Sequence, residues 1–457
     1  MEKAEITASI LTLGCRVNQY ESDVVTAELK KKGVRLVPFG EKCDVSIINT
    51  CTVTAESDRK SRQMIRKAAA VSTHVAVTGC YAQIASDDAM KIEGVEYICG
   101  NSGKASLADM IIKLAGNNEH SATNDTTPPD SYSSVSMKLE TPNRTRSYIK
   151  IEDGCNNICS YCIINKARGP VRSKNPSLVL EEAAALAKQG CREVILTGIE
   201  SASYGLDFPE RKPYGHALAE LIRDVSKIDG IERIGLGSLE PTVMSDCFCK
   251  IISEENVKKK VLPHFHISLQ SGSSEILRKM RRRYNSDMAL SAIERMRSYL
   301  PEATFSADVI VGFPTETEEN FLETVEFCRA AKFLHLHIFP YSKRKGTEAA
   351  VMGGQIPEHE KKLRLGRFEE IGAGIKHELI DEYIATHRDN PVYMLTEKCS
   401  GRFSTGHSEH FIEVKALDCV SDIGEIVPVV LDGYDGHFCT GKRVLTRKPI
   451  IPAMRNF

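Results

Sequence analysis

Three closely spaced cysteines are the residues of this 457-residue chain whose types most directly suggest chemistry. Cys155, Cys159 and Cys162 form a C-x3-C-x2-C pattern. Three thiolates this close together suit a cubane iron–sulfur cluster, which proteins hold through cysteine sulfur. Three cysteines leave one of the four irons open. The amino and carboxylate groups of a ligand such as S-adenosylmethionine can chelate that iron.

Zinc is the main alternative metal that these thiols could bind. A structural zinc site is usually closed by four ligands, often arranged as two spaced C-x2-C pairs. No His or Cys follows near Cys162 to supply a fourth ligand. A chance group of structural cysteines is the other alternative. The pattern therefore favours an iron–sulfur cluster.

Three further cysteines are far apart in the sequence, but each follows a predicted strand. The strands are predicted over Ile6–Leu13, Val45–Asn49 and His74–Thr78, and the cysteines are Cys15, Cys51 and Cys80. The helical patterns Glu21–Lys32 and Arg59–Ala70 separate the strands, which is typical of a parallel sheet. Parallel strands end at one edge of the sheet, so the three thiols are expected to converge there. The alternative is three buried structural cysteines.

The strings around these cysteines resemble the radical S-adenosylmethionine methylthiotransferases. The segment from Asp153 to Gly169 resembles the cluster loop of that family. The chain is most similar to the branch that acts on N6-threonylcarbamoyladenosine beside the tRNA anticodon. Sister branches act on isopentenyladenosine in tRNA or on an aspartate of a ribosomal protein, and they stay open as alternatives. The strings that favour the first branch are Gly14–Ser22, Cys51–Thr54, Asp58–Arg62, Gly79–Gln83 and Ser238–Pro241.

The resemblance implies two 4Fe–4S clusters and S-adenosylmethionine as cofactors. One cluster would use Cys155, Cys159 and Cys162, and the other would use Cys15, Cys51 and Cys80. It also implies a 5′-deoxyadenosyl radical that removes hydrogen from carbon 2 of adenine, before a methylthio group is transferred there. No conventional catalytic acid–base triad is predicted.

Polar residues near strand ends are the weaker site predictions. Cofactor-binding candidates are Tyr161, Ser268, Gln270 and Asp308, and substrate-binding candidates are Glu240 and Arg168. Side chains at the carboxyl ends of barrel strands often line such sites. The alternative is that Gln270 and Asp308 are satisfied buried polar groups. Three places depart from the family pattern: Asn165 stands where Pro is more frequent, Thr315 stands where Gly is usual, and Glu200–Gly205 lacks an expected glycine.

The pattern of strands and helices that must position these residues predicts an α/β fold in three parts. Residues 1–115 are the parallel-sheet domain with the second cluster, and residues 116–143 are a polar linker. Residues 144–388 contain six strand–helix units, which predicts a partial (βα)6 TIM-like barrel that a long helix, Glu358–Ala385, closes. Residues 389–457 alternate in short segments and resemble a TRAM domain, a small RNA-binding β-barrel.

The predicted nucleic-acid partner is the tRNA anticodon stem-loop. The chain has 60 Lys and Arg against 61 Asp and Glu, so any RNA contact must be local. Residues 141–174 carry a net charge of +5, and Arg278–Arg283 and Lys343–Lys345 are further basic runs. Such runs contact phosphates in many proteins, although a solvated surface is the ordinary explanation of any one of them. The resemblance also implies an electron donor and a sulfur source.

Composition excludes several other classes. No apolar run approaches the ~18 residues that a membrane span needs. No secretory leader is visible, which predicts a cytoplasmic protein, and there fifteen cysteines are more suited to metal or redox chemistry than to disulfides. A non-catalytic iron–sulfur protein that binds RNA is the alternative from another functional class.

Overall fold

The N-terminal part of the chain is a parallel sheet with helices on its faces. The computed structural model describes residues 5–116, 123–126, 138–139, 145–417 and 423–444. The strands are β1 (Thr7–Thr12), β2 (Arg35–Leu36), β3 (Cys43–Thr50), β4 (Ser72–Gly79), β5 (Val95–Cys99) and β6 (Thr123–Asp125). The helices are α1 (Arg16–Lys31), α2 (Ala55–Ala69), α3 (Cys80–Ile84), α4 (Ser86–Met90) and α5 (Leu107–Gly116). The strand order is β2-β1-β3-β4-β5-β6.

Two differences from the sequence prediction lie in this sheet. The structure begins α1 at Arg16, directly after Cys15, and not at Glu21. Cys15 is the N-cap residue but its side chain makes no capping hydrogen bond, so the usual Ser, Thr, Asp or Asn signal is missing there. Residues 123–125 of the predicted linker form β6 and pair with β5. The rest of the linker lies almost entirely outside the described residues, and the predicted domain limits stay predictions.

The middle part of the chain is an open barrel of parallel strands. Its strands are β7 (Arg146–Lys150), β10 (Glu193–Thr197), β11 (Arg233–Leu236), β12 (His264–Gln270), β13 (Thr304–Val311) and β14 (Phe333–Pro340), with a short hairpin of β8 (Glu152–Asp153) and β9 (Arg172–Ser173). Two parallel sheets, β11-β10-β7 and β12-β13-β14, are joined by isolated bridges from Ile234 to Val261 and from Leu239 to Ile267. The barrel order is therefore the chain order, and no pairing closes β7 onto β14 in the described residues.

Helices surround these strands and bury their outer faces. They are α6 (Ile164–Arg168), α7 (Pro176–Lys188), α8 (His216–Ser226), α9 (Asp246–Ile252), α10 (Glu255–Lys258), α11 (Ser274–Lys279), α12 (Ser286–Tyr299), α13 (Glu318–Ala331) and α14 (Glu358–Thr386). The long helix α14 packs against β14 and continues to the C-terminal part. In the described ranges, no helix is both long and apolar enough to cross a membrane.

The C-terminal part is a small closed barrel. Its strands are β15 (Val392–Ser400), β16 (Phe403–His407), β17 (Glu413–Leu417), β18 (Ile426–Tyr434) and β19 (Cys439–Arg443). They close in the order β15-β16-β17-β19-β18, and buried apolar side chains such as Val414 and Val429 alternate with outward ones. In β16 the inward positions are Ser404 and Gly406, so this strand has little apolar alternation in its sequence.

Candidate active site

The three isolated cysteines meet at the carboxyl edge of the N-terminal sheet. Cys15 and Cys51 follow β1 and β3, and Cys80 opens α3 directly after β4. A Cβ atom on Gly14 would lie 2.7 Å from the Cys51 Sγ atom, so the first two loops are in contact. Burial, and then the nearby thiols of Cys80 and Cys15, raise the pKa of Cys51 to about 11. The structure therefore brings together three thiols that are distant in sequence.

The second set of cysteines lies in the loop that follows β8. Gly154 opens this loop with φ +86°, and the loop closes on the Gly169–Pro170 backbone. The Asn157 and Ile164 amides each donate a hydrogen bond of 3.4 Å, to the Cys155 and Cys162 Sγ atoms respectively. Burial raises the pKa of Cys155 to about 12 and that of Cys162 to about 11. These thiols therefore carry protons at neutral pH until a metal displaces them.

Each set offers three sulfur donors, which fits a cluster that keeps one iron open for another ligand. In the described part of the chain, no three His, Cys, Asp or Glu side chains already close around a single metal-sized point. A bound cluster would draw each set of thiols together. The backbone amides that already face Cys155 and Cys162 are the kind of donors that stabilise cluster sulfur.

Each cysteine set accepts a hydrogen bond from a different arginine. The Arg168 Nε atom lies 3.3 Å from the Cys80 Sγ atom, and the Arg282 Nη1 atom lies 3.4 Å from the Cys159 Sγ atom. Arg168 ends α6, which follows the barrel cysteines and packs against α3. The two cysteine sets are thus linked through one short helix and one side chain.

Arg168, predicted to bind substrate, points into the interior of the structure, where its side chain is completely buried and its donors are engaged. Its Nη1 atom donates to Glu21 at 2.9 Å and to Asp153 at 3.0 Å, and its Nη2 atom donates to Asn18 at 2.6 Å. No donor is left to face a substrate. Arg168 instead holds the barrel and the N-terminal sheet together.

A buried ion network surrounds Arg168. Lys150 donates to Glu21 at 2.9 Å and to Asp153 at 3.2 Å, and Lys104 also pairs with Glu21. Burial opposes the charge of Glu21, but Arg168, Lys104 and Lys150 outweigh it and hold the pKa of Glu21 well below its usual range. In the same way, Arg168 and Lys150 lower the pKa of Asp153 to about 2 despite its burial.

Four bases in the described part of the basic segment 141–174 are internal, so its net charge of +5 overstates the charge that an RNA can reach. Lys150, Arg168, Arg172 and Lys174 are all at most 2% exposed. Besides Asp153 in the segment itself, their acidic partners include Glu21 and Glu182, which lie outside it; the Glu182 Oε2 atom is 2.5 Å from the Lys174 Nζ atom. Local charge counting missed these partners. Of the Lys and Arg residues described in this segment, Lys166 is the one that is exposed.

The other basic runs are divided between the interior and the surface. Arg282 faces Cys159, and Arg344 bonds to Asp58 at 2.8 Å and to Thr52 at 2.7 Å. Arg278 and Arg281 are exposed near the same end of the barrel. These runs therefore contain internal residues as well as residues that an RNA backbone can reach.

A pair of buried carboxylates lies beside the barrel cysteines. The Glu240 amide donates to the Glu200 Oε1 atom at 3.2 Å, and the Asn157 Nδ2 atom donates to the Glu240 Oε2 atom at 3.2 Å. Burial, and then the charge of Glu240, raise the pKa of Glu200 to about 7. Glu240 was a predicted site residue, whereas Glu200 was missed. Its position three residues after β10 was the available signal.

The predicted cofactor residues lie in two places. Tyr161 is near Arg282, which also donates to the Ser268 carbonyl at 3.1 Å. Gln270 ends β12 with φ +70°, a left-handed conformation that is unusual for a residue other than glycine. Asp308 is further inside the barrel, 3.2 Å from the His266 Nε2 atom. The structure thus groups Tyr161 and Ser268 around Arg282, while Asp308 lines a separate cavity.

This cavity of about 640 Å³ lies inside the barrel, between Cys15 and the C-terminal barrel. Its wall contains Arg16 next to Cys15, Asp308 on β13, and Lys376 on α14. Histidines are the most frequent side chains in the rest of the wall, and they are His264, His266, His335, His337 and His407. The sequence prediction did not identify this histidine lining, because the residues belong to three different strands.

Thr315 shows how one departure from the family pattern is accommodated. It has φ +69°, the left-handed region in which glycine is favoured, and the pattern has glycine there. Its amide donates to the Gly354 carbonyl at 2.7 Å, and its hydroxyl accepts from the Lys279 Nζ atom at 2.7 Å. These bonds help to hold the strained backbone in place.

Known protein families match the two parts of the chain that contain these cysteines. A family model described as the radical SAM superfamily matches residues 149–328, and one described as uncharacterized protein family UPF0004 matches residues 7–100. The chain is 33% identical to threonylcarbamoyladenosine tRNA methylthiotransferase MtaB of Bacillus subtilis (strain 168), over 93% of each chain. It belongs to the radical S-adenosylmethionine tRNA methylthiotransferases. This methylthiotransferase accordingly uses two 4Fe–4S clusters and S-adenosylmethionine.

Two further relatives of the methylthiotransferase show the breadth of the family. The MtaB protein of Thermotoga maritima is 36% identical over 80% of this chain and 81% of its own length. A tRNA-2-methylthio-N(6)-dimethylallyladenosine synthase of Mycobacteroides abscessus is 33% identical over 95% of this chain and 88% of its own length. Overall identity therefore does not separate the two tRNA substrates.

A solved structure supports the fold of the methylthiotransferase. The radical S-adenosylmethionine methyltransferase TsrM from Kitasatospora setae, solved with cobalamin and a [4Fe-4S] cluster, has a TM-score of 0.55. The match covers 76% of this chain and 77% of TsrM at 15% identity. Together with the observed topology, it confirms the predicted α/β fold class.

Proposed function

We propose that this enzyme transfers a methylthio group to carbon 2 of N6-threonylcarbamoyladenosine beside the anticodon of tRNA. The observation that carries this proposal is the similarity, over 93% of both chains, to a relative named for that reaction. Relatives with the same name also match from Thermotoga maritima and Aquifex aeolicus, at 36% and 35% identity. Dimethylallyladenosine in tRNA is the second candidate substrate, because relatives named for it are 32–33% identical.

In this proposal each set of cysteines holds one cluster. Cys155, Cys159 and Cys162 hold the cluster that binds S-adenosylmethionine, and Cys15, Cys51 and Cys80 hold the second one. When bound, the clusters supply the electron that cleaves S-adenosylmethionine and the site at which sulfur is held for transfer. Arg282 and Arg168 are placed to stabilise negative charge on the sulfur of each set.

The other residues orient the substrates and exclude water. Tyr161, Ser268, Gln270 and Asp308 are proposed to hold S-adenosylmethionine, and Glu240 is proposed to face the modified base. Glu240 is 2% exposed and bonded to Asn157 in the cysteine loop. Glu200, with a pKa near 7, can carry or release a proton at its Oε atoms at neutral pH. An ammonium group bound beside Glu200 would favour the ionised carboxylate.

The specific partners of the enzyme also belong to this proposal. They are the anticodon stem-loop as the RNA element bound, an electron donor and a sulfur source, all in the cytoplasm. Exposed bases near the carboxyl end of the barrel, such as Lys166 and Arg278, support the RNA contact through phosphates. The closed C-terminal barrel is a second candidate RNA surface because of its resemblance to TRAM domains.

Nucleoside analysis of tRNA from a deletion strain tests the substrate. We expect 2-methylthio-N6-threonylcarbamoyladenosine to disappear and its unthiolated precursor to accumulate, while 2-methylthio-isopentenyladenosine is unchanged. A plasmid copy should restore the modification, whereas a Cys159→Ala copy should not. Loss of the isopentenyl derivative in the deletion strain would replace the proposed substrate by the second candidate.

Anaerobic reconstitution tests the alternative of a non-catalytic iron–sulfur protein that binds RNA. The reconstituted protein, reduced with dithionite, is incubated with S-adenosylmethionine and the product is separated by chromatography. We expect 5′-deoxyadenosine from the wild type and none from the Cys155→Ala variant. A wild type that forms clusters but no 5′-deoxyadenosine would exclude radical catalysis.

A further inference from the structure

The cavity beside Cys15 contains a cation that is available to a ligand. Arg16 lines this cavity and is half-buried. Within the described ranges, no carboxylate lies within ion-pair distance of Arg16. The other fixed cation of the wall, Lys376, is 3.9 Å from Glu413, which lines the same cavity. An anionic group in the cavity would therefore find in Arg16 a positive charge that is not already paired with a carboxylate.

The histidines of the cavity do not compete for such an anion. Burial lowers the pKa of His335 to about 3 and also lowers the pKa of His264 and His337, so these imidazoles are neutral at pH 7. His266 is paired with Asp308 at 3.2 Å. The last one, His407, is paired with Glu397 at 2.7 Å. Among the described residues of the wall, Arg16 is thus the arginine or lysine that no carboxylate pairs with.

The chemistry of the proposed substrate brings an anion to this position. Carbon 2 of adenine and the arm on N6 flank N1 and so lie on the same edge of the base. The threonylcarbamoyl arm ends in a carboxylate, whereas the isopentenyl arm is an uncharged hydrocarbon. If carbon 2 faces the cluster site of Cys15, the arm extends into the space beside it. Arg16 is the next residue in the chain.

We propose that Arg16 binds the carboxylate of the threonylcarbamoyl arm and thereby selects this base over bases with uncharged arms. The proposal rests on the proposed function, because it assumes that the threonylcarbamoyl base enters this cavity. A guanidinium forms two parallel hydrogen bonds with a carboxylate, which gives direction as well as charge. A site built for a polar group rejects an analogue that lacks it, since its own donors are then left unpaired.

The test compares two synthetic anticodon stem-loops. One carries N6-threonylcarbamoyladenosine, and the other carries the same base with threoninamide, which removes the charge. Binding to the reconstituted enzyme with S-adenosylmethionine is measured by fluorescence anisotropy. We expect the wild type to prefer the carboxylate RNA by about 10- to 100-fold, the range for one charged hydrogen-bonded pair. The Arg16→Gln variant should lose this preference, and Arg16→Lys should retain part of it.

Controls separate this role from others. Arg35→Gln removes an exposed arginine of the same sheet, paired with Glu5 at 2.8 Å, and should bind like the wild type. Iron and sulfide analysis checks that the Arg16 variants keep both clusters. Equal affinity of the wild type for the two RNAs overturns the proposal, whether or not the variants fold. Unchanged RNA preference with weaker S-adenosylmethionine binding in Arg16→Gln also overturns it, because Arg16 would then serve the cofactor.

The same RNAs distinguish the two proposals. If the wild type thiolates the isopentenyl RNA and neither threonyl RNA, the proposed function itself fails. If it thiolates the carboxylate and amide RNAs equally well, the proposed function stands and the assignment of Arg16 is wrong.

Discussion

The Arg168 Nε atom donates a 3.3 Å hydrogen bond to the Cys80 Sγ atom, although Arg168 ends α6 of the barrel part and Cys80 begins α3 of the N-terminal part. Arg282 makes the equivalent bond of 3.4 Å to Cys159. Hydrogen bonds to cluster sulfur are one of the main ways in which proteins set a reduction potential. Each cysteine set therefore has one arginine that both stabilises sulfur charge and fixes the position of the loop.

Replacement of Arg168 should destabilise the protein strongly. In Arg168→Gln, Glu21 and Asp153 lose a buried cation, and breaking such a buried pair typically costs about 3–5 kcal/mol. Thermal unfolding should show the loss as a clearly lower midpoint. Arg59→Gln is the matched control, because Arg59 pairs with Glu56 on the surface, and its midpoint should equal that of the wild type. Equal midpoints for both variants would contradict this assignment.

The two cysteine sets should load independently. Replacement of Cys155, Cys159 and Cys162 by alanine should leave about half of the iron and sulfide, because the other set still binds one cluster. The corresponding triple variant of Cys15, Cys51 and Cys80 should also keep about half. Cys247→Ala, which removes an exposed cysteine outside both sets, should keep all of it. A triple variant that keeps none or all of the iron would refute two separate sites.

The loop of the barrel cysteines should not tolerate a side chain at Gly154. Gly154 has φ +86°, and a Cβ atom would lie 2.0 Å from the Pro170 carbonyl oxygen. Gly154→Ala should therefore lower both the unfolding midpoint and the iron content. Gly374 lies in α14 with no atom near its Cβ position. Gly374→Ala should stabilise the protein by about 0.5–1 kcal/mol, since alanine favours the helix. Normal iron content in Gly154→Ala would show that the loop can rearrange.

Acidification should destabilise the protein through His410. This residue is buried, its Nδ1 atom is 3.0 Å from the Tyr383 hydroxyl, and burial lowers its pKa to about 4. The unfolded chain binds a proton at His410 below about pH 6.5, whereas the folded chain binds it below about pH 4. The free energy of unfolding should therefore decrease by about 3 kcal/mol between these pH values.

Chemical denaturation at several pH values measures this effect. His410→Gln should show a flatter pH dependence between pH 6.5 and 4 than the wild type. His377→Gln, which removes an exposed histidine of α14, should show the wild-type dependence. If all three proteins respond equally to pH, another group is responsible for the acid sensitivity.

The alternation of apolar strands and helices was enough to predict the parallel sheet, the open barrel and the convergence of Cys15, Cys51 and Cys80. That prediction works because chain direction alone places the ends of parallel strands at one edge. The positions of individual charges could not be predicted in the same way. Lys150 and Arg168 look like surface bases in the sequence, but their partner Glu21 is more than 120 positions away.

The histidine-lined cavity could not be predicted for a similar reason. His264 and His337 belong to strands that lie two places apart in the barrel, and their inward orientation depends on register. A histidine in a strand pattern is equally compatible with the solvent side. Glu200 was missed because its importance comes from Glu240, which is 40 positions away and is brought to it by folding.

The buried pairing of Glu21 with Lys150 and Arg168 has a consequence for recombination between relatives. The acid comes from α1 of the N-terminal sheet and both bases come from the barrel, and all three side chains are fully buried. A chimera that takes its N-terminal sheet from a relative without this acid would leave the buried cations Lys150 and Arg168 to share the single carboxylate of Asp153. Exchange of the cluster-bearing sheet between members of the family therefore requires the donor to carry the same acid, and the two halves can diverge only together.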